Sequence, residues 1–488
     1  YCQNNCRVRM ASWEYRLNAA GVILLSLAAY IGLPLFLGDR VMFWAVTEAV
    51  FLGIAGSLAF HAASLKPAPT LSLYVLIRSY FSYGLLIPIL AKLCHKWTLQ
   101  LMKNPQKVQD DVLLQILREN DQTAFGKDFK LENIKSREEF RLKIPLTKYD
   151  TYEKYAERIA NGEENVMTKA KVLILGTSSG TTGKSKLYPI TNRDFHLFAY
   201  FGLSLVHSLD KLYRYRLRRE FDFRMYHPVT KTKGGLNITG LAVVRQDKKA
   251  HKTTPTVLTK IYKEGPCYFV QAVFCLRDPY VGFIQGTSSD LMFAFFKSVE
   301  FNKDAICKAI ATGRIDSFPE LDDDVRLELN QLLSPDPERA EILCREIGKG
   351  PDNFAKRVWP DVEAALVGRT GAFQHSAKLM EDTYLKNVKM GFGAHGATEG
   401  MIGLSMSPED ILNEEYTFFI RTLFLEFIKL EDIDEEQPKT YLLCELEVGQ
   451  LYEVVITNWY GLYRNRFGDV IKVVGYTENT PKYIFQFR

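Results

Sequence analysis

The chain has 488 residues, 47% hydrophobic and 24% charged, with a formal net charge of +5. That composition excludes a disordered or low-complexity polymer, and so small a charge on so long a chain argues against a nucleic-acid partner. The length allows a large core plus accessory segments.

Residues 1–16 form a lead carrying Arg7, Arg9 and Arg16; Tyr1 is not an initiator, whereas Met10 opens MASWEYRLNAAG. Two nearly uncharged runs follow, Leu17 to Leu37 and Val41 to Phe60, joined by Gly38-Asp39-Arg40. Each is about the ~20 residues that cross a bilayer, so 17–62 is expected to form a transmembrane or re-entrant helical hairpin. A cleaved signal peptide accounts only for the first run, and Glu48 inside the second favours a partner helix or a re-entrant path. A buried hairpin of a soluble protein is the alternative.

Within 63–108, Leu71 to Leu93 is apolar and aromatic but carries Arg78. It either spans the bilayer or lies in the interface with Trp97 at headgroup level. Two spans return the rest of the chain to the arginine-rich, cytosolic side, and three carry it across. The eight cysteines lack a framework spacing. Unpaired thiols are therefore expected, with the main domain facing the cytosol from the endoplasmic reticulum or another internal membrane.

Val112 to Arg118 has helical spacing. Val172 to Pro189 reads VLILGTSSGTTGKSKLYP, a β-branched strand running into Gly, Ser, Thr and Lys. This is a phosphate cradle in composition: glycines turn N–H groups toward an anion, Ser178, Ser179, Thr181 and Thr182 add hydroxyls, and Lys184 or Lys186 adds charge. A Walker A loop fits at Gly183-Lys184-Ser185 but meets Ser178 where its first glycine belongs. A hydrolase elbow fits Gly176-x-Ser178-x-Gly180, with His375 and His395 as bases, but needs a helix next. The mobile phosphate loop of acyl-adenylate chemistry, [ST]SGTTGxxK, needs a strand on both sides and makes Lys186 the phosphate lysine. An ordinary polar hairpin loop is the bland reading.

Further along, KLYRYRLRR from Lys211 to Arg219 reads as a solvated or lipid-facing helix surface. Residues 284–312 look helical, and Glu431 to Glu436 reads as a solvated loop. LYEVVITN and DVIKVVGY, flanking the turn Tyr460-Gly461, read as strands. Gly391 to Gly403 reads GFGAHGATEGMIG, whose glycines imply close backbone approach around Thr398. Activating a carboxylate with ATP sets two anions together. Thr398 suits a donor to the α-phosphate or the acid, Glu399 a Mg²⁺ ligand, and Asp469 an acceptor for both ribose hydroxyls; a solvated loop carboxylate at Glu399 and a turn cap at Asp469 are the plain alternatives.

With the loop, Gly391 to Gly403 and Leu446 to Tyr476 resemble the auxin-responsive Gretchen Hagen family of acyl-acid amido synthetases and its animal homologues, a branch of the adenylate-forming enzymes. The match runs from about Gln109 to the end, with weaker pieces such as Phe125-Gly126-Lys127 and Trp359-Pro360. The resemblance implies an α/β large domain over 109–488, with two α/β subdomains and a β-barrel-like part. It implies ATP and Mg²⁺, a carboxylic acid, and an amine or amino acid as acceptor. Lys186, Thr398 and Glu399 would be catalytic. Ser178, Ser179, Gly180, Thr181, Thr182, Gly183, His395, Ala397 and Asp469 would hold the nucleotide, with adenine stacking falling to the His395 imidazole or to another ring.

Family members carry a further small C-terminal domain, so the chain is expected to stop near the hinge. Two positions depart from the plant pattern: His395 opens the second motif in place of an aromatic residue, and Asn465 replaces the tyrosine of the third, with Tyr463 nearby but out of register. A membrane-anchored pseudoenzyme or interaction module, an acyl-CoA ligase and a serine hydrolase stay open as alternatives.

Overall fold

A computed structural model of the chain describes residues 12–32, 42–178, 186–213, 217–224, 229–240, 252–316, 318 and 320–488. Helices Ser12–Gly32 and Met42–Ser64 form an antiparallel pair. Small residues let them cross closely: a Cβ at Gly21 would lie 2.8 Å from the Phe60 ring, and one at Gly56 2.8 Å from Leu25. Trp13 Nε1 donates to Leu71 O at 3.0 Å and ties the pair to the rest of the chain.

Helical residues then run from Leu73 to Met102, with a π-helical stretch at Tyr80–Leu86. Exposed apolar residues fall at Leu73, Ile77 and Phe81, then Leu86, Leu90, Leu93 and Trp97. The single step of five spans the wider π turn, which resets the phase and keeps the stripe on one side. The opposite face buries Leu76, Tyr80, Ala91 and Met102. Val46–Ser64 and Leu73–Met102 are each long and apolar enough to cross a membrane. The second of these is nevertheless packed on helix Asn192–Leu212, where Thr98 Oγ1 bonds Tyr200 Oη at 2.6 Å and Ser204 Oγ at 3.1 Å.

Strands β1 (Val172–Ser178) and β2 (Lys186–Thr191) form an antiparallel hairpin. β3 (Arg219–Asp222) opens a second sheet, while β4 (Thr230–Lys231) and β5 (Asn237–Thr239) extend the first in the order β2-β1-β5-β4. With β6 (Val281–Ser288), β7 (Ala364–Gly368) and β8 (Lys389–Gly391), the second sheet runs β3-β6-β7-β8, all parallel. Its central strands β6 and β7 are almost wholly buried, as helices on both faces require. Phe221, Phe295 and Trp359 fill the adjoining core, and Trp359 Nε1 donates to Cys275 O at 3.1 Å.

The third sheet comprises β9 (Ala394–Ala397), β10 (Gly400–Leu404), β11 (Glu415–Phe418), β12 (Phe424–Lys429), β13 (Leu451–Thr457), β14 (Asn465–Thr477) and β15 (Thr480–Phe487). It is antiparallel, in the order β12-β13-β14-β15-β11-β10-β9. β14 and β9 stand four strands apart, roughly 19 Å on a flat sheet. His395 of β9 and Asp469 of β14 are nonetheless in contact, so the sheet coils into the expected barrel-like form. Gln109 pins helix Pro105–Asn120 to it, donating to Ile420 O at 2.6 Å and Leu423 O at 2.7 Å and accepting from Leu425 N at 2.8 Å.

Three expectations are corrected. Residues 284–288 belong to β6, and helices begin only at Ser289 and Lys303; a short apolar run does not separate strand from helix by periodicity. Among the described residues of Lys211 to Arg219, only Lys211 and Leu212 are helical, ending Asn192–Leu212; 214–216 lie outside the described residues, Leu217 is buried, Arg219 opens β3, and Arg218 and Arg219 pair with Asp361 and Asp278 at 3.1 and 2.8 Å. Cys307 and Cys344 are joined as a disulfide between helices Lys303–Thr312 and Pro337–Gly348, whereas unpaired thiols were expected.

Candidate active site

In the β1–β2 hairpin, Ser178 stands opposite Lys186. Ser179, Gly180, Thr181, Thr182 and Gly183 lie outside the described residues. The chain leaves the loop as a strand, and this removes the helix that both the Walker A loop and the hydrolase elbow require. Nor is a base presented for an elbow: His375 lines a separate cleft with Arg369 and Glu381, and His395 has other partners. The Lys186 ammonium stands 5.4 Å from the Tyr149 ring. The Tyr149 hydroxyl accepts from Leu187 N at 2.7 Å, and burial raises its pKa.

Thr398 and Glu399 are the two turn residues between β9 and β10, closed by the Ala397–Gly400 pair. Gly400 has φ +147°, and a Cβ there would lie 2.8 Å from Leu423. The turn packs onto β1: Thr398 Oγ1 donates to Thr177 O at 3.2 Å, and a Cβ on Gly176 would stand 2.8 Å from Thr398 Cγ2. Gly176 thus permits a close approach of two hairpins. Glu399 is 3% exposed; its Oε1 accepts from Tyr188 Oη at 2.7 Å, and its Oε2 has no hydrogen bond among the described residues. Tyr460 Oη donates to Thr398 O at 2.7 Å and Asn458 Nδ2 to Glu399 O at 2.9 Å.

At the other end of β9, His395 Nε2 lies 3.0 Å from Asp469 Oδ2 and Nδ1 lies 2.9 Å from Tyr483 Oη. Tyr483 reaches His395 by crossing Gly403, where a Cβ would sit 2.2 Å from its hydroxyl oxygen. Its ring is fully buried and stacked 4.2 Å from Phe418, and burial pushes its pKa well above the usual value. Both edges of the imidazole expected to stack on adenine are therefore committed within the sheet, with Tyr416 and Phe485 rings at 5.7 and 5.6 Å. Asp469 is 6% exposed, and Oδ1 makes no hydrogen bond among the described residues, Arg488 Nε standing 3.5 Å away.

The remaining third-motif residues hold the fold. Arg464 pairs with buried Glu426 at 3.0 Å, Arg466 with Glu453 at 2.6 Å, and Tyr463 stacks 4.8 Å from Phe125. The structure thus brings Thr398 and Glu399 onto the β1–β2 hairpin, and His395 onto Asp469. β9 links the two groups: three extended residues set His395 and Thr398 roughly 10 Å apart. Ala397 lies between them, half-buried against the barrel core. Tyr188, Asn458, Tyr460 and Tyr483 escaped sequence reasoning; the one available signal was the polar Asn458 directly after an apolar strand.

The GH3 family N-terminal domain matches residues 94–390, and the GH3 family central domain matches 416–488. An indole-3-acetic acid-amido synthetase of Arabidopsis thaliana, GH3.15, is 26% identical over 434 residues, covering 82% of this chain and 70% of its own length. A jasmonoyl-L-amino acid synthetase of Nicotiana attenuata, JAR4, is 27% identical over 419 residues, with 79% and 69% covered. The solved structure of the AtGH3.15 acyl acid amido synthetase in complex with 2,4-DB superposes with a TM-score of 0.74 at 25% identity, covering 82% of this chain and 71% of that one. With motifs, coiled sheet and family domains in agreement over most of its length, the chain belongs to the GH3 family.

Proposed function

We propose that the chain is an ATP-dependent acyl acid amido synthetase, which activates a carboxylic acid as its adenylate and passes the acyl group to an amine such as an amino acid. The observation that carries this reading is the Thr398–Glu399 turn, seated on the hairpin of the Gly-Ser-Thr-Lys loop with one buried carboxylate oxygen left unbonded. A carboxylate oxygen attacks the α-phosphorus of ATP and pyrophosphate leaves. The amine nitrogen then attacks the acyl carbon, AMP leaves, and the amine proton passes to solvent.

In this assignment Ser178, Ser179, Gly180, Thr181, Thr182 and Gly183 cradle the outer phosphates and Lys186 supplies positive charge. Thr398 donates to the α-phosphate or the acid. Glu399 Oε2 fits a Mg²⁺ ligand, because that ion takes one or two carboxylates and completes its shell with phosphate and water. Bound there, Mg²⁺ neutralises phosphate charge and eases departure of pyrophosphate. Asp469 accepts from the ribose. An animal branch of the family is part of this proposal on the resemblance alone, and the departures at His395 and Asn465 favour the rival reading of a pseudoenzyme that binds no nucleotide.

The adenylating part is assigned to 109–488 and the membrane part to what precedes it. Helices Ser12–Gly32 and Met42–Ser64 pack through glycines and expose Val22, Ile23, Tyr30, Val50, Phe51 and Ile54, as a bilayer hairpin does. Leu73–Met102 rests on the domain and offers its outer apolar face to the interface, with Arg78, Lys92 and Lys96 and no acidic residue. A two-span hairpin leaves the domain on the cytosolic side of an internal membrane such as the endoplasmic reticulum. The Cys307–Cys344 disulfide weighs toward the opposite face.

Calorimetric titration of Mg·ATP into the detergent-solubilised full chain, paired with acid-dependent exchange of labelled pyrophosphate into ATP, tests the chemistry. Binding is expected, and Lys186→Ala and Asp469→Ala should each weaken it roughly 10- to 100-fold, the loss of hydrogen bonds to charged groups. No binding by a folded wild-type chain overturns the assignment and leaves an adenylating fold without its reaction.

A further inference from the structure

We propose that His395 and Tyr483 are positioning residues that set the Asp469 carboxylate for ribose recognition, and that the imidazole does not serve as an adenine-stacking ring. This rests on the assignment of Asp469 to the ribose. A carboxylate accepts and never donates, so Nε2 of His395 carries the proton in its bond to Asp469 Oδ2 at 3.0 Å. In the neutral ring Nδ1 is then the acceptor, and Tyr483 supplies its hydroxyl proton at 2.9 Å. Burial raises the Tyr483 pKa, which keeps that proton in place.

Each link of this relay is held from outside. The Tyr483 ring is fixed by Phe418 beneath it and by Gly403, which leaves room for its hydroxyl alone. The imidazole is edged by Tyr416 and Phe485. The charged and titratable groups facing it among the described residues are Asp469, Tyr483, Tyr416 and, beyond Asp469, Arg488. With Oδ2 tied, the carboxylate cannot rotate, and Oδ1 is the oxygen without a hydrogen bond. Arg488 Nε, 3.5 Å away, offsets its charge but leaves it without a hydrogen bond among the described residues, and a ribose hydroxyl supplies one as a donor.

The test is the preference for ATP over 2′-deoxy-ATP and 3′-deoxy-ATP, measured by titration into the full chain. In the wild type, at least one deoxy analogue should bind about tenfold more weakly than ATP, the worth of one hydrogen bond to a charged group. Asp469→Ala should abolish this preference. His395→Phe keeps a ring but loses the donor, and should shrink the preference to less than threefold while affinity for tripolyphosphate holds. His395→Gln, whose terminal amide nitrogen reaches the place of Nε2, should restore it. Full preference in a folded His395→Phe chain, with Asp469→Ala lacking it, overturns the positioning role. An unchanged preference in Asp469→Ala overturns the ribose assignment itself. If His395→Phe fails to fold, His395→Gln decides alone, with loss of preference in that folded variant counting against the relay.

Discussion

Gly403 is glycine because another residue's side chain crosses it. A Cβ at that position would lie 2.2 Å from the Tyr483 hydroxyl and 3.1 Å from Thr417 O, and the Tyr483 ring is clamped on Phe418. Gly403→Ala should therefore destabilise the folded chain by about 1–3 kcal/mol, the usual cost of overfilling a packed site. Tyr483→Phe removes the clashing oxygen, so the double variant should lose less than the sum of the singles in denaturant midpoints. Strict additivity would show that the two sites do not meet. At this scale the sequence was readable where composition itself carried chemistry. The loop's flanking strands and the glycines around Thr398 announced a hairpin and a close approach, and the β1–β2 and β9–β10 hairpins are present, with the phosphate role of the loop left to the proposal. It was silent on the site roles of Tyr188, Tyr460 and Tyr483, which depend on neighbours distant in the chain.

Helix Asn192–Leu212 starts at Thr191 with a capping box, in which Asp194 Oδ2 accepts from Thr191 N at 2.8 Å and from Thr191 Oγ1 at 2.6 Å. This helix connects the phosphate hairpin to the surface that carries Leu73–Met102. Burial raises the Asp194 pKa from its usual 3.8 to about 6, against the opposing pull of its Thr191 bonds. A carboxyl whose folded pKa is raised adds stability below its unfolded value and loses it as pH climbs through the folded one. Stability from this group should thus fall between about pH 4 and pH 6, by on the order of 3 kcal/mol. Asp194→Asn, neutral throughout, should flatten that part of the curve in urea titrations at several pH values; an unaltered slope would place the dependence elsewhere. The helical period of this element and the alternation of β13 and β14 are local signals. The contact between β9 and β14 is not local: it needs the coiling of a seven-stranded sheet, which no period in the chain encodes.

On the scale of the molecule, an adenylating fold is joined to an apolar surface of two kinds. The paired helices Ser12–Gly32 and Met42–Ser64 show mostly apolar residues on their outer sides, with Glu14 and Arg16 exposed at the start of the first and Glu48 in the second, and close on each other through Gly21 and Gly56. Leu73–Met102 shows them on one side only, since its other face is spent on the domain. In the proposed arrangement the helical pair enters hydrocarbon, whereas Leu73–Met102, apolar on one face, lies along the boundary, where Arg78, Lys92 and Lys96 would meet anionic headgroups. Two such attachments would answer differently to salt. Vesicles with anionic lipid should float with the full chain at low salt and still carry it near 1 M, where a Debye length of about 3 Å removes headgroup attraction but not insertion. Ile77→Asp with Leu93→Asp, on the outer stripe, should leave flotation intact yet expose residues 73–102 to added protease, because a charge in that face opposes its burial in the boundary. Full release of the wild-type chain at high salt would mean that the hairpin does not insert and that surface charge alone holds the protein to the bilayer.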